Sequence, residues 1–207
     1  MPIIRKNNPT VAADLEHEPH RDLNELMAEL EQASPTVRRS AARELSEFED
    51  SAEILIGRLK QDKDPSVRDA ILTSLIRLGN TFAVIGLVEC LRSEDAALRN
   101  EVIEAMKQLP EKVAPIMSDL LSDKDSDMRI YAVNILESLH HLQVETWLDG
   151  VIEHDTHVNV CATAVDLLGE VGTPASRSAL THLKARFPDE PYICFAVDLA
   201  LKRIGED

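Results

Sequence analysis

A few residue groups in this chain have types and spacings that could do chemistry. His157 and Cys161 stand four apart, on one face of any helix that holds them, and Cys194 falls at the equivalent point of a later, similar segment. Imidazole and thiolate are zinc ligands, so this trio is a conceivable metal site. His140 and His141 form a second histidine group, with His154 close to His157. Arginine recurs as Arg38, Arg68, Arg99 and Arg129. A row of guanidiniums could grip a carboxylate or phosphate. Beyond these there is no Gly-rich phosphate loop, no nucleophile elbow and no nucleotide-binding signature.

The elements that must position these residues come from a repeat. The stretch "DPSVRDAILTSLIRLG" begins at Asp64; "SPTVRRSAARELSEFE" precedes it and "DAALRNEVIEAMKQLP" follows. With Val37, Val67, Leu98, Met128, Val160 and Ile193 as anchors, apolar residues recur at +4, +8 and +11. In the first copy these are Ala41, Leu45 and Phe48; in the fifth they are Ala164, Leu168 and Val171. Such offsets lie on one side of an α-helix. The anchors are 30, 31, 30, 32 and 33 residues apart. Six copies at near-constant period predict an all-α solenoid of six helical hairpins. The first helices are predicted near 21–32, 51–61, 81–92, 112–122, 144–153 and 174–186. Asp64-Pro65 and Ser34-Pro35 read as an N-cap followed by proline in the first turn, and Gly79, Gly172 and Gly205 at +12 read as helix stops. One hairpin cannot bury its apolar face alone, so stacking supplies the core.

This geometry argues against most of the candidate chemistry. Equivalent residues in adjacent layers lie about 10 Å apart, too far for a disulfide and awkward for shared ligation. Cys161 and Cys194 are therefore read as small thiols in the arginine slot, and no metal or cofactor is expected. The two histidine groups flank a twelve-residue helix and stand about 18 Å apart.

Composition agrees. The chain has 207 residues, 44% hydrophobic and only 3% aromatic, which suits an aliphatic, alanine-rich helical core. Its net charge of −15 speaks against coating nucleic acid or an anionic membrane. The local patch of Arg38, Arg39 and Arg43 reads as a solvated helix face. Three cysteines without CxxC spacing suggest a reducing, cytoplasmic setting. The N-terminal stretch has no apolar core of a signal peptide. Residues 1–19 are expected to be a disordered tail and residues 20–207 the solenoid.

The repeated "DPSVRDAILTSLIRLG", with its echoes "LLGEVG" and "LKRIG", resembles HEAT repeats. Its short period is similar to the subclass first noted in phycobilisome lyases. The resemblance implies a right-handed superhelix with the second helices lining its concave side. It also implies a ladder, here Asp64, Arg68, Asp95, Arg99, Asp125 and Arg129, that links neighbouring repeats. Physically, a carboxylate at −3 caps the second helix and can accept from a guanidinium at +1. HEAT-like deoxyhypusine hydroxylases bind di-iron through His-Glu pairs. Here the one such pair is His17-Glu18, in the tail, so that activity is not expected.

Offsets +2, +6, +9 and +13 lie opposite the core stripe and should form the inner face. It begins basic, with Arg39 and Arg43, and continues through Ile130, Asn134 and Asp166. It ends on Phe195 and Leu199, one turn apart. Those seven residues are the expected binding face; Tyr131 and Trp147 are expected to pack. The function expected is that of a non-enzymatic protein–protein interaction scaffold or adaptor, with a helix or extended segment of another protein in the groove. The alternative is an assembly or maturation factor for a cofactor-bearing partner.

Overall fold

The computed structural model describes residues 21–205; the expected tail lies outside them. Among the described residues there are helices and turns and no strand. The first hairpin is α1 (Leu23–Leu30) with α2 (Pro35–Leu45), the second α3 (Ala52–Gln61) with α4 (Pro65–Leu78), the third α5 (Thr81–Cys90) with α6 (Ala96–Lys107). In the fourth, α7 (Pro110–Val113) and α8 (Met117–Leu121) precede α9 (Ser126–Leu136). The fifth is α10 (Val144–His154) with α11 (Val158–Val171), the sixth α12 (Arg177–Arg186) with α13 (Pro191–Arg203). The six expected hairpins are all present.

Local chemistry sets the boundaries. Asp64, Asp95 and Asp125 each accept from a backbone amide two residues on, satisfying donors that the first helical turn leaves open. Asp22 and Glu25 close a capping box on α1. Gly79 ends α4 at φ 50°, a left-handed conformation in which Cβ is costly. One expectation fails locally. The first helix of the fourth hairpin is not continuous over 112–122: a 3₁₀ turn, Ala114–Ile116, divides α7 from α8. Pro115 sits in that turn, and its missing N–H and ring are incompatible with an unbroken helix.

The second helices stack in the order α2, α4, α6, α9, α11, α13, each against its neighbours, with the first helices layered beside them. The core stripe is buried as expected at Ala41, Leu45, Ile71, Leu75, Val102, Met106, Ala132, Leu136, Ala164, Leu168 and Val197. The buried arc is wider than the stripe. Position +5 is also buried in five copies, as Ala42, Leu72, Ile103, Val133 and Val165, because an inner helix touches its own first helix and the next layer at once. Val171, expected in the stripe, is exposed at the end of α11. No aromatic residue is among the fully buried ones, in keeping with an aliphatic core.

Close approach of first helices depends on one glycine. A Cβ built on Gly86 would stand 2.4 Å from Cγ1 of Ile56, so α5 and α3 meet at a spacing only glycine allows. Gly86→Ala should lower stability by about 1–3 kcal/mol through overpacking. In an Ile56→Ala background, which lacks the clashing Cγ1, Gly86→Ala should cost less, read by thermal and urea unfolding followed by circular dichroism. Equal losses in the presence and absence of Ile56→Ala would show that the clash is not the cause.

Candidate interaction face and the ladder that supports it

Between the two helices of each hairpin runs a short turn, and the recurring arginines are aimed at these turns. Arg38 Nη1 donates to the carbonyls of Gln32 and Ala33 in its own turn, at 3.0 and 2.9 Å. Its Nε and Nη2 donate to Asp62 in the next turn, at 2.7 and 3.0 Å. Arg129 repeats the arrangement: Nη1 to the Asp123 carbonyl, Nε and Nη2 to both oxygens of Asp155. Each guanidinium thus ties its own turn to that of the following layer by a bidentate, charge-assisted contact.

The ladder exists, but its acid is not the one expected. Asp62 and Asp155 lie five residues before their anchors, not three. Asp64 and Asp125 make no ladder bond; they are spent as N-caps. The two roles are separate because a cap must sit against the first turn of its own helix, whereas the ladder acid must face the previous layer. At −5 the carboxylate also accepts the backbone amide two residues on: Asp64 for Asp62, Asp125 for Asp123, His157 for Asp155. In the third hairpin that position is Ser93, whose hydroxyl takes the Asp95 amide. Asp95 then serves both ends, one oxygen capping α6 and the other 3.0 Å from Arg68 Nη1. The Arg68 Nε lies 3.1 Å from Glu101 without hydrogen-bond alignment.

Arg99 departs furthest from expectation. It donates to the Ser93 carbonyl at 2.6 Å and lies 5.8 Å from the centre of the Tyr131 ring, with no carboxylate partner among the described residues. The acid it would use, Asp123, is bonded instead to Arg92. Tyr131 is therefore a packing residue with a cation–π role.

In the last two layers thiols take the arginine position. Cys161 is buried and its Sγ lies 3.3 Å from the Asp155 carbonyl; Cys194 approaches the carbonyls of Phe187 and Pro188. Burial pushes the Cys161 thiol up to about 11, the opposite of what a nucleophile or metal ligand needs. Arg186, from α12, supplies the missing guanidinium, donating to the carbonyls of Ile152, Glu153 and Asp155 at the end of α10. No group of three or more His, Cys, Asp or Glu among the described residues is placed to hold a metal ion. His141 stacks on half-buried Trp147 at 5.2 Å between ring centres, while His154 ends the same helix.

The opposite face of the second helices is open. Phe195 is 64% exposed and Leu199 38%, and Tyr192 beside them is 54% exposed. These residues are not folded away by a tilt of the last helix. The Tyr192 hydroxyl donates to Asp166 at 2.7 Å, linking the apolar end of the row to its polar middle. A cavity of about 260 Å³ is lined there by Asn134, Glu137, Thr163, Asp166 and Glu170. Ile130 is only half exposed, packed against the core. At the other end Arg43 is exposed and Arg39 partly so. Sequence reasoning missed an outer feature. The break at Pro115 opens a cavity of about 630 Å³ between α5 and α7–α8, lined by Val84, Ile85, Val88, Ile116 and Leu120. The proline, inside a first-helix pattern, was its signal.

Stacked hairpins joined by a turn ladder define an α-solenoid. Residues 23–107, the first three hairpins, match the family model of HEAT repeats. Three further hairpins continue the stack beyond the matched segment. No curated protein matches the chain. Similar solved structures include human deoxyhypusine hydroxylase in complex with glycerol, 16% identical over 89% of this chain and 84% of that one, TM-score 0.46. Another is the archaeal HEAT-like repeats protein from Thermococcus onnurineus NA1, 15% identical over 86% and 85%, TM-score 0.46. A third is the complex of CpcE and CpcF of phycocyanin lyase from Nostoc sp. PCC7120, 16% identical over 98% and 100%, TM-score 0.37. No helix of the described residues is long and apolar enough to cross a membrane.

The two acid positions separate by mutation. Asp62 is 2% exposed and holds two arginines, so Asp62→Ala should cost about 3–5 kcal/mol, the penalty for orphaning a buried charge. Asp64→Ala should cost clearly less, since it removes only an exposed N-cap. Acid titration adds a check. Burial alone would raise the Asp62 pKa, but hydrogen bonds from Arg38, the Asp64 amide and Arg58 override it and hold it at about 2. A carboxylate depressed in the folded state stabilises above its unfolded pKa, and that stability is lost as pH falls towards the folded value. Native protein should therefore lose stability between about pH 4 and pH 2, and Asp62→Ala should flatten that slope. An unchanged acid slope in the variant would contradict the assignment.

Proposed function

We propose that this chain is a non-enzymatic interaction scaffold, or adaptor, that holds a helix or extended segment of another protein along the exposed face of its second helices. The observation that carries the reading is the exposure of Phe195 and Leu199 one turn apart beside the polar cavity of Asn134 and Asp166. An apolar anchor flanked by fixed hydrogen-bonding groups is the usual anatomy of a protein-binding patch. Ile130 offers a second, shallower apolar contact, and Arg39 with Arg43 offers a cationic one at the far end. The buried arginine ladder supports this use. Rows whose spacing is fixed by the layers present their side chains without a further ordering cost on binding.

Pull-down from the native source with quantitative mass spectrometry should return a small set of proteins. Phe195→Ala with Leu199→Ala should weaken capture by about 1–3 kcal/mol, the range of an interface anchor. The melting temperature should be unchanged, since exposed truncations cost little. Retained capture with both anchors removed would move the site elsewhere on the chain. Stoichiometric metal or visible absorbance in the purified protein would instead point to the handling of a cofactor-bearing partner.

A further inference from the structure

We propose that the outer surface around α5 is a second docking face, and that its occupant is an amphipathic helix of another protein with Lys or Arg on both flanks of an apolar ridge. This face is made by first helices, away from the exposed row of the second helices, and does not rest on the reading of that row.

The groove comes from unequal spacing on the two sides of α5. On one side Gly86 lets α5 close onto Ile56 of α3. On the other side the 3₁₀ turn at Pro115 breaks the helix that would pack there, and the cavity of about 630 Å³ is left between them. Its wall is apolar, made by Val84, Ile85, Val88, Ile116 and Leu120. Ile85 is 53% exposed. Three residues earlier, on the same side of α5, Phe82 is 60% exposed and lines a smaller cavity of about 180 Å³ at the start of α3. The strip therefore runs beside a groove bounded by helices, with no strand edge to pair with an extended chain among the described residues. A groove between two helices takes the side-chain ridge of a third.

Charge decides which helix fits. The two cavities are lined by six acids, Glu49, Asp50, Glu53, Glu89, Glu111 and Asp119, against one base, Lys112. The whole chain has 37 acids to 22 Lys and Arg, so this surface is far more one-sided than composition requires. Glu89 is bonded to Lys60 at 2.9 Å. The other five make no ion pair among the described residues. They also stand on both sides of the apolar strip. Glu49, Asp50 and Glu53 meet Phe82 on the α3 side, and Glu111 and Asp119 line the groove from α7 and α8. Such a rim repels anionic lipid and nucleic-acid phosphate and attracts Lys and Arg. An apolar ridge with cations on each flank is the complement of this surface.

The probe is a synthetic peptide of about 18 residues, with Leu at helical spacing on one face and Lys on both flanks. Fluorescence anisotropy at about 0.15 M salt should show it binding the full chain with a Kd below about 100 μM. The same peptide with Glu in place of Lys should bind at least about tenfold more weakly. Phe82→Ala with Ile85→Ala should raise the Kd at least about tenfold with unchanged circular dichroism and melting. Glu53→Gln, Glu111→Gln and Asp119→Asn together should do the same. Glu153→Gln, Asp189→Asn and Glu190→Gln change the net charge equally at exposed sites of the last two hairpins, and should alter the Kd less than about threefold. No binding of the Lys peptide, equal loss in the two charge variants, or a Kd insensitive to Phe82 and Ile85 but raised by Phe195→Ala with Leu199→Ala would overturn the proposal. Sedimentation velocity supplies the remaining check. Self-association that disappears in Phe82→Ala with Ile85→Ala would make a second copy the occupant and overturn it too.

Discussion

The contact on which the rest of this molecule depends is a guanidinium held between two turns. Layers that touch only their neighbours have no long-range contact to correct an error in spacing. Apolar stripes alone tolerate sliding, because one aliphatic side chain packs much like another. A bidentate arginine does not slide. Arg38 reads two backbone carbonyls and a carboxylate, and Arg129 a carbonyl and a carboxylate, all held in place by their turns. Breaking such a contact strands charge in a place with little water, so the cost of misregister is far larger than the net gain of the bond.

Where the ladder changes, the same problem is solved by different atoms. Cys161 is too short to reach a neighbouring turn and its thiol satisfies only a local carbonyl. Arg186 reaches the carbonyls at the end of α10 from the first helix of the following hairpin, so the tie between layers five and six runs from layer six back into the turn of layer five. The fifth layer keeps its Asp155 carboxylate as the acceptor of Arg129 from below, while the Asp155 carbonyl accepts Arg186 from above. At Cys161 the change comes with burial, which raises the thiol.

Much of the fold was legible because burial imposes a period. The anchors at Val67 and Leu98, and the stripe that follows each, announce helices whatever their neighbours do. The −5 acid was less visible, although "DKD" occurs at both 62–64 and 123–125. A carboxylate three residues before an anchor and one five before it both look like caps in one dimension. Only the layer spacing decides which faces the arginine below. Arg99 could not be read at all, since its failure to pair depends on Arg92 competing for Asp123. The broken first helix was in principle visible at Pro115, but the strength of the repeat on either side argued for continuity.

The candidate site was partly legible for a related reason. Position +6 is the one the stack uses least, so periodicity predicts its exposure and nothing about its chemistry. Phe195 is informative because an exposed aromatic there does nothing for the stack. Ile130 carries less information, since at half exposure its burial against the core already accounts for an apolar side chain. The same logic grades the whole row. Arg39 and Arg43 are compatible with plain solvation, Asn134 and Asp166 gain meaning from the cavity they share, and Phe195 with Leu199 gain it from exposure alone. Function in a solenoid of this kind is written in the residues the fold leaves free.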